Sequence, residues 1–188
     1  MKQKLILLFF ITSFFTLNLS CDTNNTSKSK SIAKYKSSLN DWNTLKNLYE
    51  NSYKYTVSSS SVFGFGTNTT ITIVNNIVIS RMYEAFSVFD KNNNYIGYEN
   101  RLVFESYTEN AETLNEHDSG AIAVTIDALY ETCLSAYLSV DSDSNSITFN
   151  VDNNNLIKDC YYIPNGCQDD CTFGIKISSF QWLNIASN

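Results

Sequence analysis

The stretch Thr69 to Tyr83 reads TTITIVNNIVISRMY. Apolar and polar residues alternate on either side of Asn75-Asn76, so each half has the period of two that marks a half-buried strand. Asparagine tolerates the positive φ that both central positions of a two-residue hairpin turn require, so the pair predicts two antiparallel strands joined there.

The same period extends outward from this hairpin. In YKYTVS, Tyr53, Tyr55 and Val57 alternate with Lys54, Thr56 and Ser58, and RLVFESYT from Arg101 is a further strand candidate. SITFNV and LIKDCYYI flank the turn residues DNNN at 152–155, and GIKISSFQWL closes the chain's patterned part. Two segments break to a helical period. In LNDWNTLKNLYE, Trp42, Leu45, Leu48 and Tyr49 share one face, and Asn40 or Asp41 can cap its start. In TIDALYETCLSAYL, Ile126, Leu129, Tyr130, Cys133, Leu134 and Tyr137 recur at three- and four-residue steps. Thr125 is the N-cap of this second helix, with Asp127 and Glu131 near the positive end of its dipole. Helix, hairpins, helix, hairpin, strand is an α+β order without the regular alternation of a parallel sheet. The expected architecture is an antiparallel β-sheet of about five to seven strands with two helices packed on one face.

The N-terminus speaks to the compartment. Lys2 and Lys4 precede an apolar run from Leu5 to Phe15, which is short for a bilayer span and matches an export signal over residues 1–20. It ends at Leu19-Ser20-Cys21, which resembles the cleavage site of bacterial lipoproteins, where the cysteine becomes the acylated first residue. Cys21 is therefore the expected lipidation site, the alternative being a simple secreted protein. Residues 22–38, DTNNTSKSKSIAKYKSS, are small, polar and locally basic, and read as a flexible tether. Residues 39–188 then form one domain.

Loss of Lys2 and Lys4 with the signal lowers the 13 basic residues to 11 against 19 acidic ones, a net charge of −8. An acidic surface argues against nucleic acid and against electrostatic docking onto anionic lipid.

Candidate chemistry is sparse. The one histidine, His117, sits in NEHDSG between Glu116 and Asp118, where a carboxylate could orient it as a general base. No Gly-x-Ser-x-Gly elbow accompanies it, and GFGTN at Gly64 lacks the third glycine of a dinucleotide fingerprint. DSDSNSITFNVD sets Asp141, Asp143, Asn145 and Asp152 at EF-hand-like spacing, but Ser146 stands where the glycine bend belongs and the remainder alternates as a strand. No catalytic set, metal site or cofactor is expected. Aromatics are the available binding material, with 12 Tyr and 12 Phe in the chain. Phe63 and Phe65 lie in the Ser- and Gly-rich connection SSSSVFGFGTN, where exposed rings would suit a protein, peptide or glycan partner. The alternative is that they fold back over the sheet edge. The preferred function is a non-catalytic binding module anchored to the cell envelope by lipid. The runner-up is an exported hydrolase or metal-dependent enzyme using His117.

Trp42, YKYTV, ITIVNNIV, DALYETC, ITFNVDNNNLIKDCYYIPNGCQDDC and the closing IKISSFQW together resemble a family of small exported bacterial lipoproteins classed as a domain of unknown function. Its members carry W…YxY, a D-L-[FY] helix and a strand pair with an acidic turn. This chain departs from them in NNNLI, where a glycine turn is usual, and in a long middle segment from Ser87 to Gly120. The resemblance implies an α+β domain beneath a lipid anchor and no assigned activity.

With Cys21 spent on lipid, Cys133, Cys160, Cys167 and Cys171 remain, an even number that reads as two disulfides in an oxidising compartment. Zinc and redox sites favour Cys-x-x-Cys pairs, which these spacings do not give. Cys133 lies on the buried stripe of the second helix, facing the sheet that carries Cys160, so the expected pairs are Cys133–Cys160 and Cys167–Cys171. Asp169 and Asp170 would then point to solvent.

Overall fold

A computed structural model describes residues 23–169 and 171–183. The expected signal, Cys21 and Asp170 lie outside the described residues. Seven strands form one antiparallel sheet: β1 (Tyr53–Ser60), β2 (Phe65–Val74), β3 (Ile77–Ser87), β4 (Leu102–Asn110), β5 (Asn145–Val151), β6 (Ile157–Pro164) and β7 (Phe173–Trp182). Their spatial order is β4-β3-β2-β1-β7-β6-β5, so the first and last strands meet at the centre. The hairpin at Asn75-Asn76 forms as its sequence requires, with φ of 51° and 64°.

The first helix overturns the expected tether. α1 spans Thr23–Leu48, and within it Tyr35 is 4% exposed and Ser38 fully buried. Ile32, Tyr35, Leu39, Trp42 and Leu45 follow one another at three- and four-residue steps and meet the core as a single stripe. Lysines and serines on the other faces hide that stripe from a compositional reading. The helix ends where Glu50 and Asn51 enter the left-handed region, and the Asn51 N–H reaches back 2.8 Å to the Lys46 carbonyl.

α2 (Ile126–Thr132) begins as expected at Thr125, whose side chain accepts from the Ala128 N–H. It continues as a single wide turn from Cys133 to Tyr137, closed by the Leu138 N–H on the Cys133 carbonyl at 2.9 Å.

Buried tyrosines explain much of the aromatic richness, because each packs its ring and uses its hydroxyl to tie helix, sheet or the approach to α2 together. The Tyr53 hydroxyl accepts from the Ile126 N–H at 2.9 Å, and the Tyr55 hydroxyl donates to the Val124 carbonyl at 2.7 Å. Tyr130 accepts from the Ile157 N–H at 3.0 Å and lies 2.6 Å from Ser38 Oγ, while Tyr35 donates to the Tyr130 carbonyl. Burial pushes the Tyr130 hydroxyl up to about 12, against the lowering effect of its Ser38 and Ile157 contacts. Trp182 at the end of β7 stacks on both Trp42 and Tyr49 of the α1 end. Asp127 of α2 takes the Trp42 indole N–H and the Lys46 ammonium, tying the two helices together.

Cys133 and Cys160 are joined beneath α2 with Cα atoms 5.8 Å apart, and Cys167 and Cys171 close the loop before β7. Disulfides of this kind place the chain in an oxidising, extracytoplasmic compartment. No helix among the described residues is long and apolar enough to cross a membrane.

Candidate binding groove

One face of the sheet is shared between core and groove. Toward the Asn75-Asn76 end the helices cover it, burying Tyr53, Tyr55, Ile71 and Ile73. Toward the other end a groove opens in two lobes. The larger, about 700 Å³, runs over Val57, Ser59, Thr67 and Ala85 to Phe104 and Glu105. The smaller, about 530 Å³, runs beneath Gly120–Ile122 to Leu129, Tyr137 and Ile175. Both include Val57, Ser58, Ser59, Thr67 and Gly174, which makes them one continuous depression of a size that holds small ligands or peptide segments.

A loop from Asn115 to Val124 walls the groove, and a buried ion pair fixes it. Arg81 of β3 and Glu109 of β4 are each 1% exposed, with Nη1 and Oε2 3.0 Å apart. Glu109 also accepts from the Asn115 N–H at 2.8 Å, the His117 N–H at 2.9 Å and His117 Nδ1 at 3.0 Å. Arg81 donates to the carbonyls of His117 and Ser119, and the Tyr107 hydroxyl donates to Ser119 as well. Burial alone would raise the Glu109 carboxyl, but these N–H groups and the guanidinium outweigh it and hold it at about 2. Gly120, at φ +84°, lies so close to the sheet that a Cβ would strike Tyr83 and the Thr69 hydroxyl.

His117 is thus oriented by Glu109 and not by its neighbours Glu116 and Asp118. Its ring stacks 3.9 Å from that of Tyr107, half exposed at the groove's outer wall. Among the described residues no hydroxyl or thiol is bonded to that ring, and no three His, Cys, Asp or Glu side chains cluster to hold a metal.

The acidic turns serve the fold. Asp141 accepts from the Asp143 N–H and the Ser144 hydroxyl, and Asp152 from the Asn154 and Leu156 N–H groups. Asp141, Asp143 and Asn145 lie at one end of β5 and Asp152 at the other. At roughly 3.3 Å per strand residue the EF-hand-like set is stretched out and does not converge on an ion.

Phe63 is 76% and Phe65 55% exposed at the tip of the β1–β2 hairpin. Phe65 meets Phe104 of β4 edge-on at 6.3 Å, and Phe104 is itself 63% exposed. The pair forms an aromatic rim on the larger lobe. Phe104 and the ion pair escape a sequence reading. Leu102-Val103-Phe104 breaks the alternation at an edge strand, which is a faint signal, while Arg81 and Glu109 meet only because β3 and β4 pair Arg81 with Glu109.

On the opposite face the segment between β3 and β4 covers part of β2 and β3 and leaves a cavity of about 340 Å³ beside Ser58–Ser61. Arg101 donates twice to Glu84 Oε1, at 3.0 and 2.7 Å, and lies 4.5 Å over the Tyr98 ring. Asn68 donates to Glu84 and to the Tyr98 hydroxyl, locking that segment down.

These features define an extracytoplasmic α+β domain with a walled, aromatic-rimmed groove on its sheet. No protein-family model matches the chain, no curated protein matches it, and no solved structure matches it.

Proposed function

We propose that the protein is a lipid-anchored binding module of a bacterial cell envelope, akin to the small exported lipoproteins its motifs resemble. It presents the groove and its rim to a protein, peptide or glycan. The observation that carries this reading is the rim itself: Phe63, Phe65 and Phe104 stand largely in solvent beside a preformed depression. Clustered exposed rings at a concave surface suit a partner that covers them. The export signal and the Leu19-Ser20-Cys21 junction support the anchor. Because α1 begins at Thr23, an acyl chain on Cys21 would hold the domain within a few residues of the bilayer. The acidic net charge argues against nucleic acid.

A photo-crosslinking residue placed at Phe65 in intact cells tests the reading. It should give a discrete adduct that the same residue at Lys54, on the opposite face, does not. Equal labelling at both positions would remove the case for a specific surface.

A second reading rests on the 3.0 Å contact between His117 Nδ1 and Glu109, which leaves Nε2 unbonded among the described residues, in the manner of a base held by a carboxylate. An exported hydrolase would use that nitrogen. It requires a nucleophile or activated water that the ring's contacts do not supply, so binding is the preferred function.

A further inference from the structure

The sheet is forked beside the groove. β1 pairs with β2 without interruption from Tyr53 to Ser60, but with β7 only as far as the Val57–Ile177 pair. The β7 ladder to β1 shifts register between Thr56 and Val57, so that β7 carries the extra residue of a β-bulge at Ser178. Below it, β7 follows β6 instead, pairing from Lys176–Asp159 to Phe173–Tyr162. Gly174 permits this. A Cβ there would lie 2.2 Å from the Cys160 carbonyl and 2.5 Å from Tyr161, so only glycine lets β7 draw in against β6 and away from β1.

Past the Ser58–Ser178 hydroxyl contact at 2.7 Å, two strand backbones therefore face one another without a ladder between them. The Ser61 N–H bonds the Phe65 carbonyl at 2.8 Å, so alternation turns the odd-numbered residues of β1 toward β2 and sends the N–H and C=O of Ser60 into the fork. One residue beyond β7, the Leu183 N–H bonds the Ser52 carbonyl at 3.0 Å. Carrying that parity through the one-residue bulge turns Gly174 and Thr172 toward β1. Neither the Ser60 nor the Gly174 backbone has a ladder partner on the fork side among the described residues. Ser58–Ser61 also line cavities on both faces of the sheet, of about 700 and 340 Å³, so the slot is open from either side. Serine, threonine and glycine leave room at the backbone, while Val57 and Ile175 supply apolar contact within the adjoining lobe.

We propose that this fork takes an extended peptide segment by β-strand addition, its main chain pairing with Ser60 and Gly174 and its alternate side chains entering the groove. The inference deepens the binding reading above and rests on it. An unpaired backbone edge recognises another backbone whatever its side chains. The apolar lobe and the Phe65–Phe104 rim then select every second residue.

The probe is a fluorescent pool of hexapeptides alternating Val, Ile or Phe with Ser or Thr, offered to the full mature chain in detergent beside a glycan array. The tightest peptide should lose at least tenfold in affinity when N-methylated at alternate residues, and less than threefold at the intervening ones. Its binding should slow amide exchange at Ser60 and Gly174, and Ser60→Pro should weaken it at least tenfold with the melting temperature unchanged. N-methylation of equal effect at every residue, or a binder lost in Phe65→Ser but kept in Ser60→Pro, would overturn strand addition while leaving a binding surface at the rim. Binding to the glycan array with no retained peptide overturns it in the same way. Loss of the Phe65 crosslink in cells would instead strike the wider reading.

Discussion

At the scale of single residues, the groove depends on polar atoms removed from water and given partners. Glu109 is the clearest case. Its carboxyl is held at about 2 against an ordinary 4.5, so the folded state binds its proton less readily than the unfolded chain. The stability this contributes is present above pH 4.5 and is lost as pH falls toward 2. Thermal melts across that window should show the loss, and Glu109→Gln should start from a lower melting temperature with a shallower acid limb. An unchanged acid limb would mean that the Glu109 carboxylate, with its His117, Asn115 and Arg81 contacts, does not hold the wall. Phe63 and Phe65 behave in the opposite sense. Their exposure predicts that Phe63→Ser with Phe65→Ser changes stability by no more than about 1 kcal/mol in denaturant titration. A loss of several kcal/mol would make them core and remove the rim.

At the scale of elements, helices and cross-links decide how firmly the sheet is held. Tyr35 and Trp42 place α1 within the core, so Tyr35→Ala should cost about 3 kcal/mol, as aromatic truncations in packed sites do. A flexible tether would lose nothing, and urea unfolding separates the two outcomes. The Cys133–Cys160 bridge spans 27 residues and Cys167–Cys171 spans 4. In the chain-entropy account these loops are worth about 3.5 and about 2 kcal/mol respectively. Cys133→Ala should therefore destabilise more than Cys167→Ala, and it also opens a cavity beneath α2. Non-reducing peptide mapping that joins Cys133 to Cys167 or Cys171 would contradict the arrangement.

At the scale of the whole molecule, the proposed anchor and the proposed binding surface would be linked through α1. α1 runs from Thr23 into the core, so an anchor at Cys21 would fix the domain close to the membrane with little freedom to reorient. Cys21→Ser should release the protein from the membrane fraction or block its processing. Unchanged membrane association and mass would refute lipidation.

The strands, the Asn75-Asn76 turn, the Thr125 cap and the α+β class were legible in the sequence, because each is set by neighbours a few residues away: alternation, positive φ, a hydroxyl at a helix start. Of the buried stripe of α1, only the part around Trp42 and Leu45 was read from the sequence, and Ile32 and Tyr35 were missed. Its lysines and serines made residues 22–38 look like solvent-seeking chain, and what holds them is tertiary contact with Phe149 and Tyr130. The groove, its wall and the fork were decided by the tertiary structure alone. Arg81 finds Glu109, and Phe65 finds Phe104, across distances in the chain that no local pattern encodes. The fork exists because β7 must serve two neighbours at once, and a bulge with one glycine lets it leave β1 for β6.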